Sequence, residues 1–175
     1  MKIRFSKVRD VKDPVRGTKG SVGYDFFIPK FTQDELVNKG LDKFIVDGIL
    51  TLPPNQGILI PAGIHVNLED IKSNIPDSSL DNWVVELLVD NKSGIATKKN
   101  VIVGANTIDE DYQGEIHIHV INVGTEAQEF KLDEKIVQMK FHFCLTPDWE
   151  EVDIDNLFET VSDRGNGGFG STGLK

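Results

Sequence analysis

The chain has 175 residues, 39% of them hydrophobic and 27% charged, with one cysteine and a formal net charge of -9. That length supports one domain with a real core and is short for two. The acidic balance, with Lys and Arg scattered instead of clustered, excludes a nucleic-acid surface driven by counterion release, so a polyphosphate ligand would need a local group of donors.

Residues 1–9 alternate polar and apolar side chains as a strand does, and lack the apolar block of a secretory signal. The spacing next predicts a short helix from Thr32 to Gly40, opened by a capping threonine with Glu35 three residues on and stopped by the glycine. Short apolar runs at 26–28, 57–60, 63–68, 83–89, 101–103, 115–121, 127–132 and 136–143 are separated by Gly, Pro, Asn and Asp. Strands of that length and spacing predict an all-β barrel or sandwich. Alternation is clearest from Glu115 to Val120, with one apolar and one polar face. Cys144, in the run Phe-His-Phe-Cys-Leu, predicts a core-packing thiol in a reducing, cytoplasmic setting. No stretch approaches the roughly 20 apolar residues that span a bilayer, so no membrane is expected as a partner.

The end of the chain is Arg164-Gly165-Asn166-Gly167-Gly168-Phe169-Gly170-Ser171-Thr172-Gly173, five glycines around one cation, one ring and two hydroxyls. Such a segment cannot hold a helix or strand alone. It has the parts of an arm that closes on a nucleotide: a guanidinium and hydroxyls for phosphate, a ring to stack on a base, and glycines for close backbone approach.

Upstream stand Gly23-Tyr24-Asp25, Lys92-Ser93-Gly94, Ile108-Asp109-Glu110-Asp111-Tyr112-Gln113-Gly114-Glu115 and Asp133-Glu134-Lys135-Ile136-Val137-Gln138. In that order, with that tail, the sequence resembles the five motifs of the trimeric dUTPases from about Lys19 to Gly173. The resemblance implies a distorted jelly-roll-like β-barrel over residues 1–163 and a mobile arm over residues 164–175. It implies hydrolysis of dUTP to dUMP and pyrophosphate, by water attack at the α-phosphorus.

Residue by residue, the resemblance makes Asp109 the catalytic base that orients and deprotonates water, at the end of a hairpin strand. Tyr112 is expected to pack on the deoxyribose and exclude a 2′-hydroxyl. The hairpin at 106–118 is expected to read uracil with main-chain groups, with Asn106, Ile108 and His117 among the contacts. The positions of Lys92, Ser93 and Gly94 match an Arg-Ser-Gly that holds the α- and β-phosphates, and lysine keeps the charge while giving up the two-pronged geometry. Gln138 would offer an amide to the phosphates. Asp133 and Asn106 stand where the family tends to have glycine, and both residue types tolerate positive φ. Arg164, Ser171 and Thr172 would hold the β- and γ-phosphates, and Phe169 with Gly170 would close over the base.

Magnesium is expected to arrive with the triphosphate, with Asp25 supporting it indirectly through water. A homotrimer, with each arm donated by a neighbour, is implied. The segments 31–47 and 70–82 exceed the usual connections; they are polar enough to lie outside and could dock a protein partner. Two other readings stay open: a dCTP deaminase-related enzyme, and a nucleotide-switched regulatory protein that uses the inserted segments.

Overall fold

The computed structural model describes residues 2–74, 82–160, 162, 163, 165 and 167. Arg164, Phe169, Gly170, Ser171 and Thr172 of the expected arm lie outside the described residues, as does most of the second half of the segment 70–82.

Its strands are β1 (Phe5–Lys7), β2 (Val15–Arg16), β3 (Tyr24–Phe27), β4 (Ile45–Val46), β5 (Ile49–Leu52), β6 (Gly57–Pro61), β7 (Ile64–Val66), β8 (Trp83–Asn91), β9 (Val101–Val103), β10 (Thr107–Ile108), β11 (His117–Asn122), β12 (Gln128–Lys131) and β13 (Lys135–Leu145). The helices are short: α1 (Gln33–Lys39), α2 (Glu69–Ser73), α3 (Ser93–Lys99) and α4 (Ile154–Leu157). The described strands form antiparallel sheets ordered β1-β7, β10-β8-β13-β3-β2, β6-β11-β9 and β12-β5-β4. They wrap one core in the expected distorted jelly-roll-like β fold, and α2, α3 and α4 add to the one short helix that was expected. No described helix is long and apolar enough to cross a membrane.

Alternation explains which faces turn inward. On β11 the side chains of Ile118 and Val120 are buried while His117 and His119 face the other way and stay half-buried. On β8, Val85, Leu87 and Val89 enter the core; β13 supplies Val137 and Met139 beside them. The β8–β13 pairing runs from Val137↔Asn91 to Leu145↔Trp83 and forms the spine to which the site elements attach.

α1 forms as the sequence predicts. The Thr32 hydroxyl accepts from the Glu35 N–H, the Glu35 carboxylate accepts from the Thr32 N–H at 2.8 Å, and Gly40 ends the helix in the left-handed region. The segment 31–47 is not purely external, however. Leu36, Leu41 and Ile45 are buried, because β4 pairs with β5 and carries this stretch onto the core. Cys144 also departs from expectation: it is half-buried on the face of β13 opposite the core, and burial followed by the neighbouring Glu86 carboxylate pushes its thiol pKa up.

Candidate active site

After β9 the chain crosses at 104–106 to β10, which is held to β8 by Thr107↔Leu88 and Ile108↔Leu87. Asn106 adds a backbone tie, its carbonyl accepting from the Val89 N–H at 2.7 Å. The chain then turns away, and the Tyr112 N–H donates to the Asp109 carbonyl at 3.1 Å to close the turn. Asp109 therefore sits one residue past a strand that fixes its backbone. Among the described residues its exposed carboxylate takes no hydrogen bond or ion pair. Glu110 turns the opposite way and accepts from the Val85 N–H at 2.7 Å, fastening the turn to β8.

The Tyr112 ring folds over Gly114, where a Cβ would stand 2.4 Å from the phenol oxygen, so any larger residue there would displace the ring. Its hydroxyl donates to the Glu115 carbonyl at 2.8 Å, and Nδ1 of His117 reaches the same oxygen at 2.8 Å, as a donor. Together these groups line a cleft of about 200 Å³ bounded by residues 105–109, Tyr112, His117, Leu59 and Val89.

A second group gathers at the other motifs. Asp25 on β3 is buried, and Nζ of Lys135 bonds one of its oxygens at 2.7 Å while Lys92 bonds the other. Burial alone would raise the Asp25 pKa, but the hydrogen bonds and charges of Lys135 and Lys92 outweigh it and hold the carboxyl below its ordinary value. Gln138 lies directly across from Asp25 in the β13–β3 register and donates to the Asn91 carbonyl at 2.8 Å. Ser93 and Gly94 open α3, where Ile95 and Ala96 are the first N–H groups to find an acceptor, the Lys92 carbonyl. The group thus offers two ammonium ions, a side-chain amide and turn N–H groups around one anion.

Glu115 joins the cleft to the first inserted segment. Arg9 grips its carboxylate with Nε and Nη2, both at 2.8 Å, and the Gly63 N–H donates to it at 2.8 Å. Arg9 also pairs with Glu35 of α1 and lies over the Phe31 ring at 5.5 Å. Burial would raise the Glu115 pKa; the Arg9 and Gly63 hydrogen bonds, then the Arg9 and His117 charges, leave it lowered.

The structure brings Asn106, Ile108, Asp109, Tyr112 and His117 to one cleft, and Asp25, Lys92, Ser93, Gly94 and Gln138 to one cationic group. Among the described residues no hydrogen bond or ion pair joins Asp109 to the second group. Asp133 takes positive φ as expected, at 67°, but Asn106 does not; β10 pairing and the Val89 tie hold it in ordinary backbone space. Lys135, Arg9 and Glu115 are additions that the sequence reading did not make. Lys135 lies within the quoted motif, but its partner depends on a bulge between Lys135 and Val137.

The sequence profile of the dUTPase family matches residues 85–173. A curated relative, the deoxyuridine 5′-triphosphate nucleotidohydrolase of Arabidopsis thaliana, is 30% identical over 97% of this chain and 84% of its own length. Among solved structures, a Staphylococcus bacteriophage 80α dUTPase bound to dUpNHpp aligns over 99% of both chains with a TM-score of 0.70 and 20% identity, which shows the fold. The dUTPase of the S. aureus phage phi11, described for its coordination of a structural Mg(II) ion, aligns over 91% of this chain and all of its own with a TM-score of 0.63 and 16% identity. With that profile spanning Lys92, Ser93, Asp109, Tyr112 and Gln138, and the plant relative aligned along nearly the whole chain, this protein belongs to the dUTPase family.

Proposed function

We propose that the protein hydrolyses dUTP to dUMP and pyrophosphate. The observation that carries this reading is the cleft in which a backbone-fixed Asp109, unpaired among the described residues, stands beside Tyr112 and the 105–108 wall, in a chain of the dUTPase family. In this reading the Asp109 carboxylate takes a proton from a water as its oxygen bonds to the α-phosphorus. The bond from that phosphorus to the α,β-bridging oxygen breaks, and the electron pair leaves with pyrophosphate. Tyr112, held by its hydroxyl on Glu115, presents its ring to the deoxyribose. Lys92, Ser93, Gly94 and Gln138 hold phosphate oxygens, and Asn106, Ile108 and His117 lend their backbone to the base. Residues 164–175 act as a closing arm, with Arg164, Ser171 and Thr172 on the outer phosphates and Phe169 and Gly170 over the base.

The donors fit a magnesium ion that enters with the triphosphate. Among the described residues no three His, Cys, Asp or Glu side chains cluster as a metal cage. Asp25 has both oxygens engaged by ammonium groups, so any support it gave such an ion would come through water and not by direct ligation. Held on the phosphates, such an ion would offset their negative charge.

The working form is a homotrimer with each site completed at a subunit boundary. One feature supports it: the exposed apolar series Phe143, Leu145, Trp149, Ile154 and Phe158, which a neighbouring copy would cover. Light scattering should give three times the chain mass of 19.5 kDa, and a monomer at working concentration would refute the assembly. The segments 31–47 and 70–82 are candidate docking surfaces for a protein partner, and the reduced thiol of Cys144 suits the cytoplasm. The deaminase alternative is not favoured, given the nucleotidohydrolase relatives.

Turnover of dUTP in ¹⁸O-water tests the reaction. Label recovered in dUMP is the expected result, and label in pyrophosphate, or deamination of dCTP instead, would overturn it.

A further inference from the structure

His119 has no part in the site described above. It stands opposite Leu59 in the β11–β6 register, two residues beyond His117 and on the same face. Its carbonyl accepts from the Gly104 N–H at 3.0 Å, and its Nδ1 is bonded by the Ala105 N–H at 3.1 Å. A peptide N–H only donates, so Nδ1 carries a lone pair and the neutral ring keeps its proton on Nε2. The ring fills space that two side chains would need: a Cβ on Gly104 would stand 2.2 Å from Nδ1, and one on Gly57 would stand 2.9 Å from Nε2.

The consequence reaches the cleft. The stretch 104–106 carries the chain into the cleft wall, and its far end is already fixed by the Asn106 carbonyl on Val89. At its near end Val103 is held by the β9–β11 pairing and by the Asn91 side chain, and the next two N–H groups, of Gly104 and Ala105, both go to His119, one to its backbone carbonyl and one to its ring nitrogen. We propose that His119 is a positioning residue for the nucleobase end of the cleft: its imidazole, wedged between Gly57 and Gly104, sets the 104–106 backbone and thereby the preference for uracil over thymine. This rests on the reading of the cleft as the dUTP site. Main-chain recognition of a base edge needs its groups held to a fraction of an ångström, and a wall that shifts admits the extra methyl. Asp109 is held independently by the β10–β8 pairing, so the effect falls on KM and base preference and spares kcat.

Three variants test the proposal with dUTP and dTTP as substrates: His119→Asn, whose Oδ1 can stand where Nδ1 does, His119→Val, which suits a strand and has no acceptor, and His119→Phe, which keeps the ring without one. Val and Phe should raise KM for dUTP about five-fold, with kcat within about two-fold, and narrow the dUTP-to-dTTP ratio of kcat/KM by a similar factor, as loss of one hydrogen bond allows. Asn should stay within about two-fold of the unsubstituted enzyme in all three. The inference is overturned if Val and Phe keep the original KM and base preference, or if Asn is impaired as they are. It is also overturned if Val and Phe yield no folded protein while Asn does, since the role is then structural. An unsubstituted protein that does not hydrolyse dUTP defeats the underlying reading, and this inference with it.

Discussion

Three acidic side chains of one turn have different surroundings and hence different work. Asp109 is exposed and free of partners among the described residues, as a base that must meet water requires. Glu110 is spent on the Val85 N–H, and Glu115 on Arg9 and Gly63. Because the folded pKa of Glu115 is lowered, its contribution to stability is complete above the unfolded value near 4.5 and is lost as pH falls through the folded value. Glu115→Gln should therefore lower stability at neutral pH by about 1–3 kcal/mol, by leaving Arg9 short of an acceptor, and should flatten the acid limb below about pH 4.5. Urea midpoints across pH for both proteins check this, and parallel curves would contradict it. Candidate groupings were legible where residues follow one another along the chain: Asp109 and Tyr112 fall in one contiguous motif, Lys92 and Ser93 in another. Lys135 with Asp25, and Arg9 with Glu115, were not legible, because each pairing depends on distant strands meeting in one register.

At the scale of elements, α1 shows how local rules fix a segment and tertiary contacts place it. Its capping box is complete, and the same Glu35 carboxylate also receives Arg9, so the helix start is tied to the hairpin behind the cleft. Thr32→Ala should cost about 1 kcal/mol, seen as a lower melting temperature, with kcat unchanged because Glu115 keeps its grip on Arg9. A change in kcat would mean that the inserted helix acts on the cleft. The helix was readable from Thr32, Glu35 and Gly40. The β4–β5 hairpin beside it went unread although Asp47-Gly48 marked it; both residues take positive φ, 49° and 74°, as a two-residue hairpin turn demands. β4 spans only two residues, too few to alternate visibly. α3 was hidden by Ser93-Gly94, which reads as a turn but forms the first turn of a helix that starts after Lys92 and ends at a left-handed Asn100.

For the whole molecule, the sheets carry two groups on one β framework, one with the acid and one with the cations, and the proposed trimer is the assembly in which both would meet one nucleotide. The exposed apolar series runs from the last residues of β13, Phe143 and Leu145, through Trp149 and Ile154 to Phe158, a surface that the proposed trimer would bury. The account stands or falls on Asp109 turning water onto the α-phosphorus of dUTP. The direct measurement is pyrophosphate release from dUTP by the unsubstituted protein and by Asp109→Asn, with binding of dUpNHpp followed in parallel. The account predicts that the variant loses at least about 100-fold in kcat while binding the analogue within about three-fold of the original. Undiminished turnover in Asp109→Asn would contradict it.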